Sequence, residues 1–324
     1  MTHLTLTKPN VVPVFFAVDD RYVPFLYVAL RSLIDHASDD HHYRIHILID
    51  QLSEENRQSL STLSRDNVEI LFTDVTGKLR AICDRLHIRD YYSKTTYYRF
   101  FIPSLFPQYE RGVYLDCDIV LNRDVADLYH VPMGTSLVSA IVEEVISDID
   151  VFGKYSEEVL HVSRNAYFNA GILVMNLAEM RRICLEEQFV RLLGRRTYRV
   201  AQDQDYLNVL CRDRVTLLSK QWNKTPMPGS DETVEPYIVH YKINFKPWRY
   251  DDIPYAEYFW KYAERTPYAD FFRNMKDTYS EEEKSRDKEQ YDNLEALAAS
   301  QTHEALTLAD GELASFGRLG EALV

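Results

Sequence analysis

Apolar residues come along this chain in short dense runs separated by stretches of helical spacing. Residues 11–18 (VVPVFFAV) are apolar throughout, the pattern of a strand buried on both faces. Phe25, Val28, Ala29, Ser32 and Leu33 then recur at helical spacing, which predicts a helix ending near His36. Arg44–Asp50 (RIHILID) reads as a second strand, and Ser53 as the N-cap of a helix through Leu63, with Glu54 and Glu55 in its first turn. Val68–Phe72, Val113–Leu115, Leu137–Val142 and Ile172–Met175 add four more strands. Strands alternating with helices predict an α/β fold whose sheet is mixed but mostly parallel, flanked by helices on both faces. Ligands of such sheets bind beyond the carboxyl ends of the strands, so polar residues just after each strand carry the interest.

The pattern changes after about Asn274. Ser280-Glu281-Glu282-Glu283 has the form of a capping box opening a charged helix on which Leu294 and Leu297 make a weak apolar stripe. Residues 1–275 are therefore expected to form the catalytic domain, and residues 276–324 a helical, peripheral appendage, read as solvated in preference to a docking element or a dimer contact. That tail holds 12 acidic and 5 basic side chains, a net −7 of the chain's −13. An acidic chain lacks the phosphate-neutralising surface that non-specific nucleic-acid binding needs, and offers no basic platform to anionic lipid. No stretch reaches the roughly 18–20 apolar residues of a membrane span, so no stable membrane insertion is expected. Cys83, Cys117, Cys184 and Cys211 are scattered, giving neither a disulfide framework nor a zinc site, and the chain reads as cytoplasmic. The sequon Asn223-Lys224-Thr225 is then coincidental. The 23 tyrosines would suit a sugar cleft, although most are expected to be ordinary packing.

Four segments carry candidate chemistry. In Tyr114-Leu115-Asp116-Cys117-Asp118, residues two apart share a side of extended backbone, so both carboxylates can converge on one cation. Oxygen-rich sites suit Mn²⁺ or Mg²⁺, which often bridge to substrate phosphates. His240 could complete such a shell and Lys246 could meet a phosphate. Asn169-Ala170-Gly171 opens the run Ile172–Met175, and its small residues allow either close approach of a ligand or tight strand packing. Gln202-Asp203-Gln204-Asp205 is either part of a site or an acid-rich helix N-terminus.

Together with FAVDD (16–20), TTYYRF (95–100) and HYKINFKPW (240–248), these segments resemble the retaining glycosyltransferases of family 8, over roughly residues 11–260. The resemblance implies a GT-A-type nucleotide-diphospho-sugar transferase fold and a UDP-sugar donor. It places Ala17 and Asp19 at the uracil, and Arg99 at the donor sugar and phosphate. Asp116, Asp118 and His240 become the metal ligands, and Lys246 the pyrophosphate lysine. Asn169, Ala170, Gly171, Asp203 and Gln204 line the donor sugar and the reaction centre. Asp203 is the better nucleophile of the last two on chemical grounds, and double displacement and front-face attack both remain open.

Three positions depart from the family pattern. Ile243 stands where the family has a glycine, Arg21 where some relatives have an asparagine, and Glu143 where an aspartate often lines the sugar pocket. The expected activity is Mn²⁺-dependent transfer of glucose or galactose, with retention, to a hydroxyl of a glycan, glycolipid or glycoprotein. The alternative is a non-catalytic member that binds a nucleotide sugar or serves as a scaffold. Acceptor-side residues such as Tyr91 and Tyr92 do not name the acceptor.

Overall fold

The computed structural model describes residues 10–80, 82, 86, 94–227 and 234–321, with side chains up to residue 306. Cys83, Tyr91 and Tyr92 lie outside the described residues. Strand β1 (Val11–Ala17) is doubly buried, as its apolar run predicts. Val12, Val14 and Phe16 enter one core with Leu26, Leu30 and Leu33 of the helix Val23–His36, while Phe15 and Ala17 enter another with Phe100, Tyr155 and Phe189. The period-two alternation thus feeds a core on each face of the sheet.

The remaining strands are β2 (His42–Ile49), β3 (Val68–Asp74), β4 (Gly112–Leu115), β5 (Ile119–Leu121), β6 (Val138–Ala140), β7 (Ile172–Met175), β8 (Val215–Leu217) and β9 (Ile238–His240). The main sheet runs β3-β2-β1-β4-β7-β6-β8, and β5 and β9 form a separate antiparallel ladder. β3, β2, β1 and β4 are parallel, β7 is antiparallel to both its neighbours, and β8 is parallel to β6. The sheet is mixed and mostly parallel, as expected. From β1 the chain winds outward through β2 and β3, then returns to the other side of β1 as β4. The crevice beyond β1 and β4 is therefore the topological switch point, where open sheets of this kind bind ligands. Because β7 runs backwards, its amino end lies at that same edge.

The tail corrects the reading of a solvated appendage. Its capping box forms, with the Ser280 N–H donating to Glu283 at 2.8 Å and the Glu283 N–H to Ser280 Oγ at 3.2 Å. The helix Glu281–Glu321 then docks on the fold through its residues 287–302. Ala298 is fully buried in the core that holds Phe152 and Tyr155, and Tyr291, Leu294 and Leu297 pack against that core. Tyrosine richness is also mainly a packing feature: nine of the twelve largest fully buried side chains are Tyr.

Candidate active site

β4 ends at Leu115 and the chain turns through Asp116, Cys117 and Asp118 into β5. Two ladders fix this turn. The Asp116 N–H donates to the Gly171 carbonyl at 2.7 Å, tying it to the amino end of β7, and the Tyr241 N–H donates to the Asp118 carbonyl at 2.9 Å. The β5–β9 register sets His240 opposite Ile119, one residue past Asp118. The ligand-type atoms of Asp116, Asp118 and His240 consequently lie within 4.8 Å of one another. His240 Nε2 is 3.3 Å from Asp118 Oδ1 and 3.8 Å from Asp116 Oδ2.

The donor set fits a divalent cation. His240 Nδ1 lies 3.0 Å from Asn223 Oδ1, and this contact turns Nε2 toward the carboxylates. Asn223 in turn donates to Asn169 Oδ1 at 2.8 Å. Gly171 leaves the space such a site needs: a Cβ there would fall 2.4 Å from Asp116 Oδ2 and 2.5 Å from His240 Cε1. The sequon at Asn223 is buried and bonded on both sides, so this asparagine serves the site and is not exposed to modification.

Cations surround the carboxylates. Arg99, 2% exposed, donates to the Ala170 carbonyl, sits 3.2 Å from Asp116 Oδ1 and 3.2 Å from Asp203 Oδ2, and lies 4.3 Å over the Tyr114 ring. The Tyr114 hydroxyl donates to Asp116 Oδ1 at 3.0 Å. Lys246 Nζ donates to Asp118 Oδ2 at 2.5 Å and to the Tyr241 carbonyl. Burial works to raise the Asp118 carboxyl, but Lys246 and His240 outweigh it and hold it well below the usual range. Burial pulls the Lys246 ammonium below its ordinary value, with Asp118 opposing. At Asp203 burial wins over Arg99 and pushes the carboxyl up to about 6.

A third group faces the same space. Lys242 pairs with Glu143, whose other oxygen accepts from Asn169 Nδ2 at 2.7 Å. Burial raises the Glu143 carboxyl, but Lys242 and Asn169 bring it below its usual value. Gln204 Oε1 accepts from the Ala170 N–H at 2.9 Å and from Asn169 Nδ2 at 3.3 Å. The helix Asp203–Cys211 sets Asp203 and Gln204 here because Asp205, one residue on, is anchored beneath them. Asp205 accepts from Tyr155 at 2.8 Å, Tyr167 at 2.7 Å and the Ala201 N–H at 2.9 Å.

The structure gathers all thirteen residues singled out from the sequence, Ala17, Asp19, Arg99, Asp116, Asp118, Glu143, Asn169, Ala170, Gly171, Asp203, Gln204, His240 and Lys246, around one cleft. Asp19 caps the turn Asp20–Tyr22 and holds the exposed Arg21 guanidinium at 3.0 Å. Tyr22, Tyr114, Lys242, Arg249 and Leu294 also line the cleft and were not singled out. Asn223 escaped too: its partners are 54 and 17 residues away, and the only local pattern around it, the sequon, points to a different role. Ile243 lines the cleft with φ of 55°, the left-handed region that favours glycine. The backbone thus keeps the glycine-type conformation despite the β-branched residue.

A mixed sheet with an acid-x-acid turn at its switch point, closed by a histidine, places the chain among the GT-A-type glycosyltransferases. Its likeness to solved structures agrees. WbbM bifunctional glycosyltransferase superposes with a TM-score of 0.73 at 26% identity, over 85% of this chain and 53% of that one. The galactosyltransferase LgtC, solved with donor and acceptor sugar analogues, gives 0.65 at 24% identity over 79% of this chain and 96% of that one.

The chain belongs to glycosyl transferase family 8, whose model matches residues 13–252. Among curated relatives, general stress protein A of Bacillus subtilis is 24% identical over 81% of this chain and 96% of its own length. Lipopolysaccharide 1,2-glucosyltransferase of Escherichia coli is 24% identical over 79% of each chain. The protein is thus a glycosyltransferase. Among the described residues no helix is long and apolar enough to cross a membrane.

Proposed function

We propose that this protein transfers a hexose, glucose or galactose, from a UDP-sugar to a hydroxyl of a glycan, glycolipid or glycoprotein, with retention and with Mn²⁺ as the working metal. The observation that carries the reading is the convergence of Asp116, Asp118 and His240 within 4.8 Å, with Lys246 against Asp118 and Arg99 against Asp116. A lipopolysaccharide glucosyltransferase among the relatives and a galactosyltransferase among the structural neighbours support a hexose.

In this reading Asp116, Asp118 and His240 hold the divalent cation, which stabilises charge on the departing diphosphate. Ala17 and Asp19 hold the uracil at the end of β1. Lys246 exchanges its contact with Asp118 for a phosphate oxygen, giving a charge-assisted bond. Asn169, Ala170, Gly171 and Glu143 line the sugar. Asp203 and Gln204 stand at the reaction centre, Asp203 holding Arg99 and Gln204 holding the Asn169–Ala170 backbone. UDP is already a good leaving group, so no proton donor to it is required.

The test is Asp118→Asn. Removing one carboxylate charge from the cation site should lower Mn²⁺-dependent consumption of a UDP-hexose by roughly 100-fold or more, on the scale of other lost electrostatic contacts. The melting temperature should stay within a few degrees of wild type. Wild-type activity in that variant contradicts the metal assignment.

A further inference from the structure

Five carboxylates line the cleft (Asp19, Asp116, Asp118, Glu143 and Asp203), together with four cations, Arg99, Lys242, Lys246 and Arg249. Three of those cations are paired inside the cleft: Arg99 with Asp116 and Asp203, Lys242 with Glu143, and Lys246 with Asp118. Arg249 differs. Its ion pair is with Asp287 at 3.6 Å, and Asp287 belongs to the C-terminal helix, outside the cleft lining. An anion entering the cleft therefore meets in Arg249 a charge that no cleft carboxylate neutralises.

Arg249 also stands beside the group expected to meet the diphosphate. The Arg249 N–H donates to the Lys246 carbonyl at 2.9 Å, and its charge adds to the burial that lowers the Lys246 ammonium. The guanidinium lies 5.1 Å from the Tyr279 ring. Asp287, 7% exposed, is held from three directions. Its Oδ2 accepts from Tyr279 at 2.6 Å and from Tyr250 at 2.9 Å, and its carbonyl accepts from Asn244 Nδ2 at 2.9 Å. Asn244, Lys246, Arg249 and Tyr250 are one loop, so the helix grips the segment that carries both cations.

We propose that Arg249 binds the diphosphate of the donor and that Asp287 is the positioning residue that aims it, making the C-terminal helix part of the donor site. The inference rests on the UDP-sugar reading above. A guanidinium presents several donors in a fixed fork that matches phosphate oxygens, and a 3.6 Å pair leaves them available. Asp287 holds the guanidinium without saturating it.

Calorimetric titration of UDP and of UMP, each with Mn²⁺, tests this on the full chain. Arg249→Gln should weaken UDP by roughly 10- to 100-fold, the range for one charged hydrogen-bonding contact, and UMP by much less. Arg249→Lys should recover part of the loss. Asp287→Asn should give a smaller loss, again selective for the diphosphate, and Asp287→Glu should restore it. An unchanged UDP-to-UMP affinity ratio in Arg249→Gln overturns the assignment of Arg249. Equal losses of UDP and UMP in Asp287→Asn that Asp287→Glu does not restore overturn the positioning role. If the wild-type chain binds no UDP, the donor reading fails and this inference with it.

Discussion

Asp205 shows how a buried charge can serve a site without touching it. It is fully buried and receives three hydrogen bonds, yet burial outweighs them and pushes its carboxyl from 3.8 up to about 6. A carboxyl whose pKa is raised on folding makes the native state bind more protons than the unfolded chain between those values. Its contribution to stability therefore falls as pH rises from about 4 to about 6, by about 3 kcal/mol for a shift of that size. Denaturant unfolding across pH 4 to 8 should show this decline in wild type, and Asp205→Asn should make it shallower while Asp203, raised in the same way, keeps its share. Parallel curves would show that Asp205 keeps an ordinary carboxyl. At this scale the sequence was informative about Asp116 and Asp118, because spacing alone puts both on one side of extended backbone. It did not show that Tyr114 and Arg99 hold Asp116, since those contacts arise only once β4, β7 and the segment Lys94–Phe101 pack together.

At the scale of elements, strands within apolar runs were legible, the three-residue β6 included, and the three-residue strands outside such runs were not. β1, β2, β3, β4 and β7 follow their apolar patterns. β5, β8 and β9 are each three residues long, too short to show a period, although β9 delivers His240. Direction was also hidden: nothing in Ile172–Met175 says that β7 runs against its neighbours, yet that reversal brings Asn169 to Gly171 to the metal turn. The turn Lys220–Asn223 belongs to the same class, as it exists to carry Asn223 between His240 and Asn169. Asn223→Ala should free the imidazole to rotate and weaken Mn²⁺ binding by roughly 10- to 100-fold, the usual effect of losing a group that orients a metal ligand. Titration of Mn²⁺ by electron paramagnetic resonance measures this, and unaltered affinity would mean that β9 alone orients His240.

At the scale of the molecule, the C-terminal helix is where the sequence misled. Its inner face is Asp287, Tyr291, Leu294, Leu297, Ala298 and Thr302, spaced as one side of a helix but with only three large apolar residues, each partly buried. Hydropathy registers such a face as weak, because Ala, Thr and a hydrogen-bonded Asp bury well without scoring as apolar. The Tyr291 ring meets Phe152 edge-on at 6.3 Å, and Leu294 reaches the cleft itself. Removing residues 281–324 should expose that core and lower the melting temperature by about 5 to 10 °C, as expected for a loss of a few kcal/mol in a domain this size. A truncated chain that melts with wild type would return the helix to the solvated role its charge suggested.

The central claim is that the turn beyond β4, with His240 and Lys246, binds a uridine diphosphate sugar through a divalent metal. The most direct measurement is a thermal-shift panel of UDP, GDP, UDP-glucose, UDP-galactose and UDP-N-acetylglucosamine, each with and without Mn²⁺. A ligand that binds only the folded state raises its melting temperature by mass action, and no acceptor is needed. The account predicts stabilisation by UDP and by one UDP-hexose, dependent on Mn²⁺ and absent with GDP. No shift with any uridine nucleotide at saturating concentration would contradict it, and would make the changes at Arg21 and Ile243 a loss of donor binding.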